Sequence, residues 1–394
     1  MRILLVDPIM TRQSPAGGQF LLLAERLWQE HAITIVSERL DAGSAGHVRW
    51  LNPLDYASKK ARCLGKSKTS RRNRMARTLA HLYQSGERFD IVHAGASYAP
   101  CLPAADDFGY RVVTFHGAPL DALRATGRDR SISQLPFRVK AEWWYRRLRL
   151  YRAAIAERGR SWQRREVWVG VSQGVCEHLR REYGMRKVTY IPNAVTIEDR
   201  AISPPNAAER AIVDELAGQF VCVMLAHGNW LWKGAHIAVQ AMAKLPQDVT
   251  LVLVGGGSTG AVSALIEGHR LRGRVRFTGV LENPFTILAR ADVFLSLSVY
   301  ETFGLAPAEA ALCAVPVVST RTHGVADWLA PGENGILVDR NPDAVAAEII
   351  RLRRSPGLRR KLGRNARLTI SRQYQSELVA SAYVKLYKDL LGGR

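Results

Sequence analysis

The chain predicts a two-domain α/β protein, each domain a parallel sheet covered by helices on both faces, and three observations carry that prediction. Short runs of β-branched and leucine-rich residues recur between stretches of helical spacing, the pattern of strands buried on both faces and joined by crossover helices. The series breaks after Ile191 and restarts at Phe220. A length of 394 residues also exceeds one ordinary core and suits two domains of roughly 150 to 200 residues with a cleft between them.

In the first series, strands are expected at Ile3–Val6, Ile33–Val36, Ile91–His93, Val112–Phe115, Val167–Val171 and Val188–Ile191. In the second they are expected at Phe220–Ala226, Val249–Val254, Val275–Phe277, Val293–Leu297 and Val315–Ser319, with a helix over Ala235–Leu245. Thr196–Arg210 holds Pro204, Pro205 and few apolar anchors, the composition of an interdomain connection. The expected layout is an N-terminal domain at 1–195, a linker at 196–210, a C-terminal domain at 211–372 and a terminal helix at 373–394, free to pack back on the N-terminal domain. That helix is read from Leu378, Val379, Ala382, Tyr383, Leu386 and Leu390 at helical spacing.

A formal net charge of +21 and a pI near 10.2 call for an anionic partner; on charge alone nucleic acid, an anionic membrane surface and a phosphorylated substrate all stay open. Five scattered cysteines with no C-x-x-C pair argue for a reducing compartment and against structural zinc. The apolar run before Asp7 is too short for a signal peptide, and no stretch approaches the roughly 18 apolar residues of a membrane span. The expected location is the cytoplasm, free or on a membrane surface.

Chemistry in such folds sits in loops that follow strands. The sharpest signal is Val293–Ala311, V-F-L-S-L-S-V-Y-E-T-F-G-L-A-P-A-E-A-A. A strand ends there, a helix begins, and Glu301 and Glu309 flank the junction. The first amides of that helix, at Thr302, Phe303, Gly304 and Leu305, form an anion site, and two carboxylates beside it suit a polyhydroxylated phosphate ester. Lys233 opens the helix after the first strand of the second series, where its ammonium can neutralise a diphosphate. Gly17 and Gly18 lie between the first strand and first helix, where missing side chains let backbone amides approach a ligand. His116 ends a strand. Asp106 and Asp107, an adjacent acidic pair amid loop-like residues, read as solvated rather than as a metal clamp.

The run E-T-F-G-L-A-P-A-E, preceded by A-D-V-F-L-S and followed by P-V-V-S-T-R-T-H-G-V-A-D-W and N-G-I-L-V-D, resembles the donor-site signature of retaining GT-B glycosyltransferases of family 4. Gly17-Gly18, T-F-H-G at Thr114–Gly117, Val171-Ser172, I-P-N at Ile191–Asn193, Lys233-Gly234 and L-V-L-V-G-G-G extend the likeness over nearly the whole chain. The resemblance implies a GT-B fold of two Rossmann-like domains and metal-independent transfer from a nucleoside-diphosphate sugar, a UDP-sugar being favoured. It implies that Glu309 binds the ribose, that Glu301 contacts donor-sugar hydroxyls, and that Phe303, Gly304 and Leu305 supply backbone contacts. It places His116 toward the donor sugar. The family's usual arginine about five residues before the lysine is missing; His227-Gly228-Asn229-Trp230 stands there, leaving Asn229 as a substitute donor. His93 and Asn193 match less fully, because Gly95, Ala194 and Thr196 depart from the usual pattern.

Positive charge concentrates at Lys59–Arg77 and Phe137–Arg165. In the second stretch Trp143, Trp144, Arg146, Arg147 and Arg149 belong to a basic, aromatic-rich amphipath expected to face an anionic membrane; the alternative is that its apolar face packs on the sheet. The expected reaction is retaining transfer to a hydroxyl of a lipid-linked or lipopolysaccharide-type acceptor at the inner leaflet. A soluble enzyme acting on a small molecule is the alternative, and a basic nucleic-acid-binding protein a remoter one; nucleic acid is not expected as a partner.

Overall fold

The computed structural model of the chain describes all residues except 13, 42–45, 57–67, 104, 117–121, 123–124, 127–128, 133–134, 136–139, 142, 145–165, 197–203, 227, 258 and 393–394. Two compact units emerge: unit 1 is Met1–Ala118, Arg158–Ala194 and Tyr374–Arg394, and unit 2 is Pro119–Glu157 and Val195–Gln373.

Unit 1 contains β1 (Arg2–Val6), β2 (Ile9–Met10), β3 (Ala32–Val36), β4 (Arg39–Leu40), β5 (Arg49–Leu51), β6 (Ile91–Gly95), β7 (Tyr110–Phe115), β8 (Val167–Gly170) and β9 (Val188–Tyr190). Seven of them form a parallel sheet in the order β5-β3-β1-β6-β7-β8-β9, and β2 pairs with β4 apart from it. The chain builds outward from β1 and then returns to its other side at β6. That reversal opens a crevice at the carboxyl ends of β1 and β6, the general ligand position of doubly wound sheets. The terminal helix Ser376–Gly392 buries Val379, Ala380, Tyr383 and Tyr387 in the same core as Leu21, Ala24 and Ile91.

Unit 2 contains β10 (Phe220–Leu225), β11 (Val249–Val254), β12 (Val275–Gly279), β13 (Val293–Ser296), β14 (Val317–Ser319) and β15 (Ile336–Leu337), parallel in the order β12-β11-β10-β13-β14-β15. Its reversal lies between β10 and β13. Every predicted strand is present within a few residues. The short β5 and β15, two or three residues each, carry too little pattern to be seen in advance.

Two boundaries differ from expectation. Pro119–Glu157 belongs to unit 2, where Ile132, Leu135 and Trp143 bury in one cluster with Leu231, Ala235 and Ile237. The linker is also shorter than 196–210, because a helix runs over Ala207–Glu215. Asn206 Oδ1 accepts the amide of Glu209 at 2.9 Å while Glu209 Oε2 accepts the amide of Asn206 at 3.1 Å, a reciprocal cap. Glu209 is buried, its other oxygen accepting the amide of Asn283 at 2.9 Å. The N-x-x-E spacing at Asn206–Glu209 was the available signal.

Candidate functional site

In unit 2 the loops after β10 and β13 meet at the strand reversal. Lys233 Nζ forms an ion pair with Glu301 Oε1, and Ser298 Oγ donates to the same oxygen at 2.7 Å. Both charged side chains are half-buried. Gly234 makes this meeting sterically feasible: its φ is +81°, and a Cβ there would lie 2.2 Å from the carbonyl oxygen of Leu297. Trp232 ties the two loops together, its Nε1 donating to the Tyr300 carbonyl at 2.9 Å while its own carbonyl accepts the Val299 amide at 3.0 Å. Asn229 is exposed and left-handed at φ +57°, and its carbonyl accepts the Lys233 amide at 3.0 Å. Its demonstrable work is therefore to turn the chain toward Lys233.

The helix Leu305–Leu312 starts beside Glu301, with Gly304 at φ +85° as its cap. Phe303 is buried while Leu305 and Glu309 are half-buried. Gly324 backs onto Phe303 so closely that a Cβ would lie 2.1 Å from its Cα. The first amides of a helix lie outside its own hydrogen-bond ladder. A cation, a carboxylate and a helix start thus converge at one strand reversal, an arrangement that can hold a diphosphate and order the hydroxyls attached to it.

Unit 1 is different. Gly17 and Gly18 are buried, and their amides donate to Ser14 Oγ at 3.2 Å and the Ser14 carbonyl at 2.7 Å. A Cβ at Gly17 would lie 1.7 Å from the Ile9 carbonyl oxygen. These glycines permit close packing of the loop on β2, and their N–H groups are used within it rather than presented to a ligand. His116 follows β7, and burial of its ring lowers its pKa to about 4, keeping it neutral. His93 joins the terminal helix: Nδ1 is 2.7 Å from Tyr387 Oη, Nε2 is 2.6 Å from Thr114 Oγ1, and burial lowers its pKa to about 3. Asn193 is buried; its neighbour Ala194 is held by Gln19, which accepts its amide at 2.7 Å and donates to its carbonyl at 3.1 Å. Gln19 lies outside the motifs read from the sequence.

Residues 19–199 match the family model described as Glycosyltransferase Family 4, and residues 208–369 match the one described as Glycosyl transferases group 1. The chain is a family 4 glycosyltransferase of GT-B fold. Sucrose-phosphate synthase from Thermosynechococcus elongatus superposes with a TM-score of 0.74 at 19% identity, covering 100% of this chain and 99% of that one. WaaG, a glycosyltransferase involved in lipopolysaccharide biosynthesis, gives 0.69 at 17% identity over 96% and 98% of the two chains. In sequence, N-acetyl-alpha-D-glucosaminyl L-malate synthase of Bacillus anthracis is 35% identical over 40% of this chain and 43% of its own length. The lipopolysaccharide core biosynthesis glycosyltransferase LpsE of Rhizobium meliloti is 31% identical over 46% and 53%. The chain thus spans about half the length of these relatives.

Within this glycosyltransferase the expected membrane-facing set needs correction. Trp143 is 4% exposed and packs in the core of unit 2, its ring centroid 6.5 Å from that of His236. An apolar helix face seeks the nearest core, and unit 2 supplies one. Trp144 is 58% exposed, while Arg146, Arg147 and Arg149 lie outside the described residues, as does His227. In the other basic stretch, Arg71 and Arg74 pair with Glu38 at 3.0 and 2.7 Å, an acid distant in sequence. Asp107 pairs with Arg88 at 2.8 Å. Among the described residues no cluster of His, Cys, Asp or Glu is arranged to hold a metal ion, and no helix is long and apolar enough to cross a membrane.

Proposed function

We propose that this glycosyltransferase moves a sugar from a nucleoside diphosphate, with UDP favoured, to an acceptor hydroxyl with retention at the anomeric carbon. The convergence of Lys233, Glu301 and the start of the helix Leu305–Leu312 carries the reading. On donor binding Lys233 exchanges its bond to Glu301 for one to the diphosphate, offsetting charge as the glycosidic bond breaks. Glu301, released, accepts from sugar hydroxyls, and Glu309 from the ribose. No carboxylate is assigned as nucleophile: the acceptor attacks from the face the diphosphate leaves, and the diphosphate takes the acceptor's proton. In this scheme Lys233 and the helix amides carry the leaving-group charge without a metal ion.

The acceptor we favour is lipid-linked or of lipopolysaccharide type, used at an anionic leaflet; the names of LpsE and WaaG support it. So does an exposed basic surface on unit 2, where Arg354, Arg360, Lys361, Arg364, Arg367 and Arg372 line the helices Pro342–Arg354 and Pro356–Gln373. A small polar acceptor is the second reading, favoured by the relative named for L-malate. A screen of UDP-, GDP- and dTDP-sugars by thermal shift and product analysis tests the donor. Stabilisation by one nucleotide family, lost in Lys233→Ala and Glu309→Ala and unaffected by EDTA, is expected; no response to any donor would sink the assignment.

A further inference from the structure

Arg340 lies two residues past N-G-I-L-V and outside every motif of the site, yet it holds the backbone from which the site hangs. Its Nη1 donates to the carbonyl of Leu297, and its Nη2 donates to Asp129 Oδ2 at 2.8 Å. Leu297 is the residue that follows β13, and its carbonyl is the one against which Gly234 is packed. The next residue, Ser298, holds Glu301, and its own carbonyl accepts Thr320 Oγ1 at 2.6 Å. Asp129 comes from the segment between Pro119 and Glu157, and its side chain is 1% exposed against 15% for Arg340. Ser131 completes the shell: its amide and hydroxyl donate to Asp129 Oδ1 at 3.1 and 2.6 Å, and its Oγ lies 2.9 Å from His236 Nε2. Burial works against the charge on Asp129, but the adjacent guanidinium and the Ser131 hydrogen bonds hold its carboxyl below the ordinary value.

A buried ion pair is rarely a net source of stability, since well-packed apolar residues of equal volume do as well. This one does something apolar residues cannot: it presents a rigid donor to one backbone carbonyl. We propose that Asp129 and Arg340 are positioning residues for the donor site, clamping the Leu297 carbonyl so that the loop from 297 to 304 keeps Glu301 opposite Lys233. The inference rests on the donor-site reading in taking Glu301 as the sugar-contacting acid. Neither residue touches the reacting groups; both act through the loop.

Arg340→Lys keeps the charge and loses the two-pronged fork, and Asp129→Asn keeps the shape and loses the charge. Hydrogen exchange of the amides at 298–303 should become about tenfold faster in both, with β10 and β11 unchanged, as local opening without global unfolding requires. In sugar transfer, kcat should fall about tenfold or more with the donor KM within about twofold, the signature of misplacement rather than lost binding. In a Glu301→Gln background, Arg340→Lys should add no further loss, because the group it places is already gone. Unchanged exchange at 298–303 overturns the proposal, as does a loss in the double variant equal to the sum of the single losses. Should the wild-type chain transfer no sugar, the donor reading falls by itself, and the exchange result still decides whether the pair holds the loop.

Discussion

The same architectural position, the crevice where a doubly wound sheet reverses, is finished differently in the two units. In unit 2 the loops there bring opposite charges together, Lys233 to Glu301, and use glycine backbone to let them approach. In unit 1 the corresponding loops turn inward: Ser14 takes up the amides of Gly17 and Gly18, and His93 is tied to Tyr387 and Thr114. Charged groups in one crevice stay half-exposed; in the other the polar groups are largely buried and taken up by the fold. A glycine pair or a strand-end histidine therefore says where the chain is crowded before it says what the chain binds.

The sharpest way to break the contrast is through the charges of unit 2. Lys233→Ala and Glu301→Gln should each lower kcat about a hundredfold or more, as removal of a preorganised electrostatic group does. Melting temperatures should stay within a few degrees, since a half-exposed ion pair contributes at most about 1 kcal/mol. Transfer at wild-type rate in Lys233→Ala would erase the distinction between the units. Next come the glycines. Gly234→Ala must displace the Leu297 carbonyl and should cost roughly 2–4 kcal/mol together with donor affinity. Gly17→Ala, crowding the Ile9 carbonyl, should cost a similar roughly 2–4 kcal/mol yet leave stabilisation by the donor intact. Denaturant melts with and without UDP-sugar separate the two.

Tyr387→Phe removes one hydroxyl from the His93 network of unit 1 and should cost about 1–2 kcal/mol, with donor binding unchanged in a titration. The last effect is one of pH. Burial raises Asp7, at the carboxyl end of β1, to about 7, so between roughly pH 4 and 7 the folded chain holds a proton that the unfolded chain has lost. Its contribution to stability therefore declines as pH rises through that window and levels off above it. His93 and His116, lowered to about 3 and about 4, act in the opposite direction, losing stability as pH falls below about 6.5. Asp7→Asn should make the stability of the protein rise more steeply between pH 4 and 7, and an unchanged slope would show that Asp7 is ionised in the fold.

Strands were legible because burial on both faces leaves continuous apolar runs, and the loop after β13 was legible because its carboxylates and helix start are contiguous in sequence. Less could be read where meaning depends on a distant partner. Trp143 belongs to an amphipath whose pattern states that one face avoids water; a membrane and the core of unit 2 satisfy that pattern equally. Arg74 looked like surplus charge until Glu38 was placed beside it. Asp129 and Arg340 are 211 positions apart, and no local spacing announces such a pair. The linker expected at 196–210 ends earlier for a nearer reason: the cap at Asn206 and Glu209 starts a helix inside it.

The exchange of segments between halves of the chain also sets an order of assembly. Synthesis delivers Pro119–Glu157 before β10 exists, so the piece that completes the core of unit 2 is waiting when the rest of that unit emerges. Unit 1 has the opposite history. Its first strands leave the ribosome early, but Tyr383 and Tyr387, which fill its core and meet Thr114 and His93, arrive only with the last helix. The domain begun first is thus completed last, and a released chain truncated before Ser376 should present unit 2 protected from protease and unit 1 still open.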